Sequence, residues 1–493
     1  MYTRFLDPNI FASYFREYVV DPKGDPAEVE FQKKISSAYI RAAEAQAIVS
    51  ETISLNLFAS DLNITQRMSS KSMELVCQVP SGSLFPAHYD GMKYSDFLLA
   101  HPKLVPFAFD IALLYEQAGN KEIADEIRKQ TINFVRTSPK SPDPDDEHFL
   151  FSSLPGKFPV GVRRYCLEDT SRNESNLEHG VDLTRRLEID VHYPAVQTKE
   201  PVYQIHRLNT DGVTDPSEKE RLQNRWDRSQ PDLEPSLEEK FPIIIFSHSF
   251  TSNANCCQNI VEPLVSHGYC VITINHPATN DRTFSLGHYQ VPQIPRSAIF
   301  DVDSREAMTN AKDIEFVLNE IKTHKDFQAF LGESLDLDSP IGVFGQSLGG
   351  IAALEACRLQ PSKIKAGLNL DGGFGYDPEP EKLVNQPFLT LLSNHEHDLD
   401  GLEQDEEIEE GEKEERQKLK KAYEKDMAAI EVFHKNNPKA DRIPFPEAEH
   451  VDFSIVPAVW PKDPPNPYFK GIVKKTNKLV LNFFNLHLKE IAS

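Results

Sequence analysis

A serine stands among glycines in "VFGQSLGG", residues 343–350. A serine hydroxyl is a poor nucleophile until a base takes its proton. Ile341-Gly342-Val343-Phe344 reads as a short buried strand and Ile351-Ala352-Ala353-Leu354-Glu355-Ala356 as helix, so Ser347 falls on the turn between them. A nucleophile on so sharp a bend occupies strained backbone, and its neighbours two residues away must be small for strand and helix to pass closely. The surroundings suit a nucleophile, although a purely structural turn shares the pattern.

Such a serine needs a base, and the base needs an oriented carboxylate. The histidines downstream are His395, His397, His434, His450 and His487. His487 sits in the amphipathic "TNKLVLNFFNLHLKE" and reads as a packing or surface residue, while His434 ends a charged stretch. His450, in "PEAEHVDFS", lies in a polar loop between a strand and a terminal segment and is the best base. Asp371 ends "AGLNLDGG", where Gly372 and Gly373 let the chain turn away, and is the leading acid. Glu396 and Asp398, at the end of the next strand, remain its rivals. The oxyanion of ester cleavage also needs backbone N–H donors. One would come from Leu348 and the other from the earlier loop "FSHSFTSN", residues 246–253.

Gathering these groups requires a sheet whose strands end at one edge. "FPIIIFSHS" (241–249) and "GYCVITINHP" (268–277) are apolar runs of the kind covered on both faces, and "IGVF", "KAGLNLD" and "PFLTLLSN" supply further strands. Between them, "SREAMTNAKDIEFVLNEIKTH" (304–324) places Ala311, Ile314, Leu318 and Ile321 on one helical stripe. Strands alternating with helices predict a mostly parallel α/β sheet. "RRLEIDVHYPA" (185–195) alternates as an edge strand would. The stretch 208–240 is charged and reads as an excursion from the sheet.

Residues 1–150 read as a separate helical cap or docking region, with helices over 30–53 and 104–135 and a boundary in "TSPKSPDPDDEH" (137–148). Residues 151–493 form the α/β domain, interrupted by a charged insertion, 398–440. Acidic first and basic later, that insertion suits one long exposed helix, with a mobile lid or a partner contact as the alternative.

Composition narrows the function classes. A net charge of −23 argues against nucleic acid as a partner. No apolar run is long enough to span a bilayer, and charges interrupt the opening "MYTRFLDPNIFASYFREYVVD" where a secretory core would lie, so a soluble cytoplasmic protein is expected. Cys77, Cys166, Cys256, Cys257, Cys270 and Cys357 are scattered and read as free thiols. "NHEHDLD" (394–400) carries His395, His397, Asp398 and Asp400, but it reads as a polar loop rather than a metal centre.

The segments "IIIFSHSFTSN", "VFGQSLGG", "LNLDGG", "QPFLTLLSNHE" and "EAEHVDFS", in this order and spacing, resemble the platelet-activating factor acetylhydrolase family of α/β-hydrolases. "PGKFPVGVRRY" and "RRLEIDVHYP" fit that family's entry strands. The likeness covers about 155–490 and leaves out the first 150 residues and the insertion. It implies Ser347 as nucleophile, Asp371 as acid, His450 as base and the amides of Phe250 and Leu348 as oxyanion hole. It also implies hydrolysis of short or oxidised sn-2 acyl esters of phospholipids, with no cofactor and no metal. Ser249 and Gln346 stand where the family more often has Gly and His, and Leu348 replaces a common Phe. His248, Ser249 and Gln346 are the candidates for lining the substrate. His248 and His276 end strands at one sheet edge, where they either line the pocket or hold loop backbone. The expected partners are an ester or phospholipid, a membrane surface touched transiently, and an unspecified protein for the N-terminal helices. Two other readings stand beside this one: a general or dienelactone-hydrolase-like esterase, and a retired scaffold that binds a protein.

Overall fold

The computed structural model describes residues 154–176, 181–199, 227–277, 304–373, 384–394, 410–459 and 466–489, with isolated positions between them. The chain divides into two compact units. One comprises Met1–Phe149, Thr198–Asp232 and Phe284–Tyr289; the other, Leu150–Gln197, Leu233–Thr283 and Gln290–Ser493, carries all the candidate residues above that are described. In the first unit Lys121, Asp125 and Arg128 are helical, and Arg128 pairs with Asp125 and Asp232. The remaining positions of the expected helices at 30–53 and 104–135 lie outside the described residues, as do residues 395–409 with Glu396, Asp398 and the "HEHDLD" histidines.

The second unit is built on a mixed sheet. Its strands are β1 (Val160–Asn176), β2 (Val181–Pro194), β3 (Ile243–Ser247), β4 (Cys270–Asn275), β5 (Ile341–Gln346), β6 (Ile364–Leu370), β7 (Phe388–Leu392) and β8 (Ala440–Pro444). They lie in the order β8-β7-β6-β5-β3-β4-β2-β1. From β8 to β4 every pairing is parallel, and β2 joins antiparallel to both β4 and β1.

Period-two alternation sends neighbouring residues of one strand to opposite layers. Ile243 and Ile245 of β3 pack with α2 (Ser304–Glu320), whose Ala311, Ile314 and Leu318, continued by Ile321 just past its end, form the expected stripe. Ile244 and Phe246 turn to the other face, against α1 (Gln258–Ser266) and α5 (Phe469–Leu488). Helix α3 (Leu348–Leu359) joins the first layer. The apolar strand runs therefore mark a sheet buried on both sides, where every inward position gains by leaving water.

Two expectations need correction. The segment 185–195 is not at an edge, because β2 lies between β1 and β4. Its alternating polar residues are buried and paired: Asp190 takes both prongs of the Arg164 guanidinium at 2.6 and 2.7 Å, and Glu188 lies 3.0 Å from the same group. The charged insertion is not a wholly exposed helix either. Helix α4 (Glu410–Asn436) ends in Ala429, Ile430 and Phe433, which are buried in the core, with Phe433 edge-on to Phe388 of β7. Among the described residues no helix is long and apolar enough to cross a membrane. Cys256, Cys257, Cys270 and Cys357 are buried thiols that form no disulfide.

Candidate active site

The chain leaves β3 toward β4 on one side and β5 toward β6 on the other, although β3 and β5 are neighbours. Diverging connections open a crevice at the carboxyl ends of those two strands, the place where parallel sheets bind ligands. Ser247 ends β3 and leads into the loop of His248, Ser249 and Phe250, while Gln346 ends β5 and leads into Ser347.

Ser347 sits at φ 56°, ψ −122°, outside the regions open to ordinary side chains. Its neighbours force the turn. A Cβ on Gly345 would fall 2.0 Å from the carbonyl oxygen of Gly349, and one on Gly349 would fall 2.0 Å from that of Ser247. Only hydrogen at both positions lets helix and strands approach so closely. The Ser347 N–H donates to the carbonyl of Leu370 at 2.9 Å, which fixes the turn against the end of β6. Backbone strain of this kind costs about 1–3 kcal/mol and persists where the surroundings impose it.

Asp371 follows β6 and has the same φ, 56°. Its carboxylate is wholly buried and fully engaged. Oδ1 accepts from the Ser393 N–H at 2.7 Å; Oδ2 accepts from the Ser393 hydroxyl at 2.6 Å and from His450 Nδ1 at 2.7 Å. The His450 side chain, by contrast, is 36% exposed. With its Nδ1 proton held by the carboxylate, the neutral imidazole has an unprotonated Nε2 whose lone pair can accept. That is the nitrogen able to accept a proton from a hydroxyl.

His450 begins a 3₁₀ turn, His450–Phe453, whose Asp452 carboxylate accepts from the Glu449 N–H at 2.8 Å and from Asn466 Nδ2 at 2.7 Å. Gln346 Nε2 donates to the His450 carbonyl at 3.4 Å. Gln346 is buried, and this expected lining residue instead ties the His450 backbone to the strand that leads into Ser347. Ser249 is half-buried in the loop after β3.

Leu348 is the first residue of α3, where amide protons have no partner within the helix and the helix dipole favours negative charge. The side chains of Leu348 and Phe250 pack together in a small buried cluster with Ala307. The two loops expected to supply oxyanion donors are therefore adjacent.

His248 does not line an open surface. Its ring is fully buried, with Nδ1 2.7 Å from the Ser249 carbonyl and Nε2 accepting the His276 backbone N–H at 3.0 Å. His276 is equally buried; its Nδ1 lies 2.8 Å from Asp313 Oδ2 and its Nε2 2.9 Å from Ser247 Oγ. Burial drives the His248 imidazole down to about 3, and it also lowers His276. Asp313 is held well below the usual carboxylate range, despite its burial, by the Arg185 guanidinium, whose Nε and Nη2 donate to it at 2.7 and 2.6 Å. Of the two roles open to these histidines, the structure gives His248 the holding of loop backbone, while the His276 ring joins the Ser247 and Asp313 side chains.

Ser393, Asn369, Asp452 and Asp313 carry much of this geometry and escaped the reading of the sequence. For two of them the signal is position: Asn369 is the last residue but one of β6, and Ser393 is the first residue past β7.

The family model described as the alpha/beta hydrolase fold matches residues 242–407. The platelet-activating factor acetylhydrolase of Bos taurus is 24% identical over 191 residues, which are 31% of this chain and 40% of that protein. The chain thus matches about two fifths of the length of that curated relative. Among solved structures, a ferulic acid esterase from Streptomyces cinnamoneus has 22% identity and a TM-score of 0.49, covering 69% of this chain and 93% of its own. A dienelactone hydrolase from Anabaena variabilis has 14% identity and a TM-score of 0.36, with coverages of 66% and 99%. The second unit has the α/β-hydrolase fold.

Proposed function

We propose that the protein is a serine hydrolase that cleaves carboxylic esters through an acyl-enzyme. The observation that carries the reading is the 2.7 Å bond from His450 to a buried Asp371, at the sheet edge where Ser347 occupies its strained turn. In this mechanism Ser347 Oγ attacks the ester carbonyl while His450 Nε2 takes its proton. The buried carboxylate supports the imidazolium so formed, and the amides of Leu348 and Phe250 hold the oxyanion. The tetrahedral adduct collapses as Nε2–H protonates the departing alkoxide, leaving acyl-Ser347 and a free alcohol. Water then attacks the acyl group, giving its proton to His450, and the acid departs with the serine restored. None of these steps calls for a metal or a cofactor.

The finer reading is a preference for short or oxidised sn-2 acyl chains on phospholipids. Its support is the 24% identity to an acetylhydrolase of platelet-activating factor, together with the motif order around Ser347, Asp371 and His450. Ser249 and Gln346 depart from that family's pattern, so the acyl preference rests less on motif identity than the chemistry does.

The test is turnover of p-nitrophenyl acetate and butyrate beside a short-chain sn-2 acyl phospholipid and a long-chain triglyceride, with Ser347→Ala as control. A fluorophosphonate should label Ser347 and nothing else. Turnover of simple esters without the phospholipid would leave a general esterase. Buffer-level rates for both wild type and Ser347→Ala would leave a protein-binding scaffold instead.

A further inference from the structure

Beneath the loop after β3 runs a buried string of side chains with no part in the mechanism above. Ser247 Oγ, His276 and Asp313 are joined by bonds of 2.9 and 2.8 Å, the residue types and bond order of a catalytic triad. All three are 0% exposed, so no substrate reaches them. Asp313 comes from the middle of α2 and is clamped by Arg185 of β2, with Arg172 of β1 2.8 Å away. The string fastens the end of β4 to two other elements. The His276 backbone N–H, fixed in this way, meets His248 Nε2 at 3.0 Å.

That bond determines which nitrogen of His248 is protonated. An Nε2 that accepts cannot carry hydrogen, so the neutral ring holds its proton on Nδ1 and donates it to the Ser249 carbonyl at 2.7 Å. The Ser249 carbonyl and the Phe250 N–H belong to one peptide unit. In a planar trans peptide they point in opposite directions, so holding one aims the other. On the far side, the Thr251 N–H donates to the Thr279 carbonyl at 2.8 Å, and Thr251 sits at φ 53°. The peptide that offers the second oxyanion donor is therefore held at its carbonyl, which also accepts from the Ser252 N–H at 3.3 Å, and the peptide after it is pinned through Thr251.

We propose that His248 is a positioning residue that sets the plane of the Ser249–Phe250 peptide and so the aim of the Phe250 N–H, with His276 and Asp313 as its anchor. The role rests on the ester-hydrolase reading of Ser347, and it makes the buried string a brace for the oxyanion site rather than a second active centre.

Two uncharged replacements of nearly equal size separate this role from general stability. Asn places its amide nitrogen where Nδ1 was and keeps the bond to Ser249. Gln places its amide where Nε2 was; it can accept the His276 N–H but leaves the Ser249 carbonyl only the longer 3.3 Å bond from the Ser252 N–H. The readouts are kcat and KM for p-nitrophenyl butyrate, and the affinities of a trifluoromethyl ketone, which forms the oxyanion, and of an uncleavable ether analogue, which does not. His248→Gln should lose roughly a hundredfold in kcat with KM within about twofold, as expected when a donor is misaimed. Its trifluoromethyl ketone affinity should fall by a similar factor while ether binding is unchanged. His248→Asn should recover most of both. Rates are taken per folded protein, from the circular dichroism signal, so loss of stability cannot imitate the result. Asn and Gln variants that behave alike, or a Gln variant that loses ether binding as much as ketone binding, would overturn the positioning role and leave the hydrolase reading intact. A wild type that neither hydrolyses the ester nor binds the ketone would remove both.

Discussion

Lowering the pH from 7.5 to 5.0 should weaken the sheet domain through its buried histidines, well above the range where carboxylates titrate. His248 is the clearest contributor. Its folded-state value lies near 3, against an ordinary 6.5 when the chain unfolds. Between those values the unfolded chain binds a proton that the native protein refuses. The slope of unfolding free energy with pH is then positive, and stability falls as pH falls. The loss begins near 6.5 and runs down to about 3. At pH 5 the unfolded form is favoured by a factor of about 30, or about 2 kcal/mol, from this one group. His276 shifts in the same direction and adds to it, its lowering by burial opposed by Asp313 and reinforced by Arg185 and Arg172. Total stabilities of about 5–15 kcal/mol make such a loss easy to see. With a urea slope near ~3 kcal/mol/M, the midpoint should drop by about 0.7 M from His248 alone. Urea titrations followed by intrinsic fluorescence at pH 7.5, 6.5, 5.5 and 5.0 measure it, and His248→Asn should remove about one proton's worth of the slope. A midpoint unchanged between pH 7.5 and 5.0, or a full slope retained in His248→Asn, would refute the argument.

Two further outcomes bear on the site and its scaffold. Asp371→Asn keeps the shape of the group that accepts from the Ser393 N–H but removes the charge beside His450, so ester turnover should fall about 10⁴-fold with the fold retained, as rates and circular dichroism would show. Phe433→Ala, in the apolar end of the charged helix, should cost about 3–5 kcal/mol by urea unfolding; a near-neutral result would mean that the helix is not part of the core.

Much of the scaffold was legible because its signal is local. Runs such as "PIIIFS" and "YCVITIN" are mostly apolar, and an apolar run of that length between turns has few other uses. The turn at Ser347 was equally legible, since Gly345 and Gly349 are demanded by contacts a few atoms away. What escaped was settled by long-range pairing. Asp190 and Glu188 read as solvent-facing until Arg164, from the neighbouring strand, neutralises them in the interior. Arg185 and Asp313 are 128 positions apart, and neither carries a mark that would join them. The acid had three candidates because sequence order alone cannot say which carboxylate a loop 79 residues later will meet. The helical insertion misled for another reason: its charges outnumber the short stripe Ala429, Ile430 and Phe433, which alone decides where it packs.

The turns at Ser347 and Asp371 are coupled through Asn369. Gln346 and Leu370 are paired across β5 and β6, so the chain leaves both strands at the same level, each time through a residue at φ 56°. The Asn369 side chain closes the second turn. Its Oδ1 accepts from the Gly372 N–H at 2.7 Å and its Nδ2 donates to the Gly372 carbonyl at 2.8 Å, all out of contact with water. Asn369→Ala would leave a buried donor and a buried acceptor unpaired, at about 1–3 kcal/mol each. The strained φ of Asp371 would lose its support at the same time. Stability should therefore fall by a few kcal/mol and kcat with it, whereas KM, set by groups that touch substrate, should hold. Asn369→Asp separates the two bonds: its carboxylate still accepts from the N–H but faces the Gly372 carbonyl with a second acceptor. It should fall between wild type and Asn369→Ala in both stability and kcat. If Asn369→Ala turned over ester at the wild-type rate per folded molecule, Asp371 would be holding its conformation without this bracket, and the strain at the two strand ends would have no bearing on catalysis.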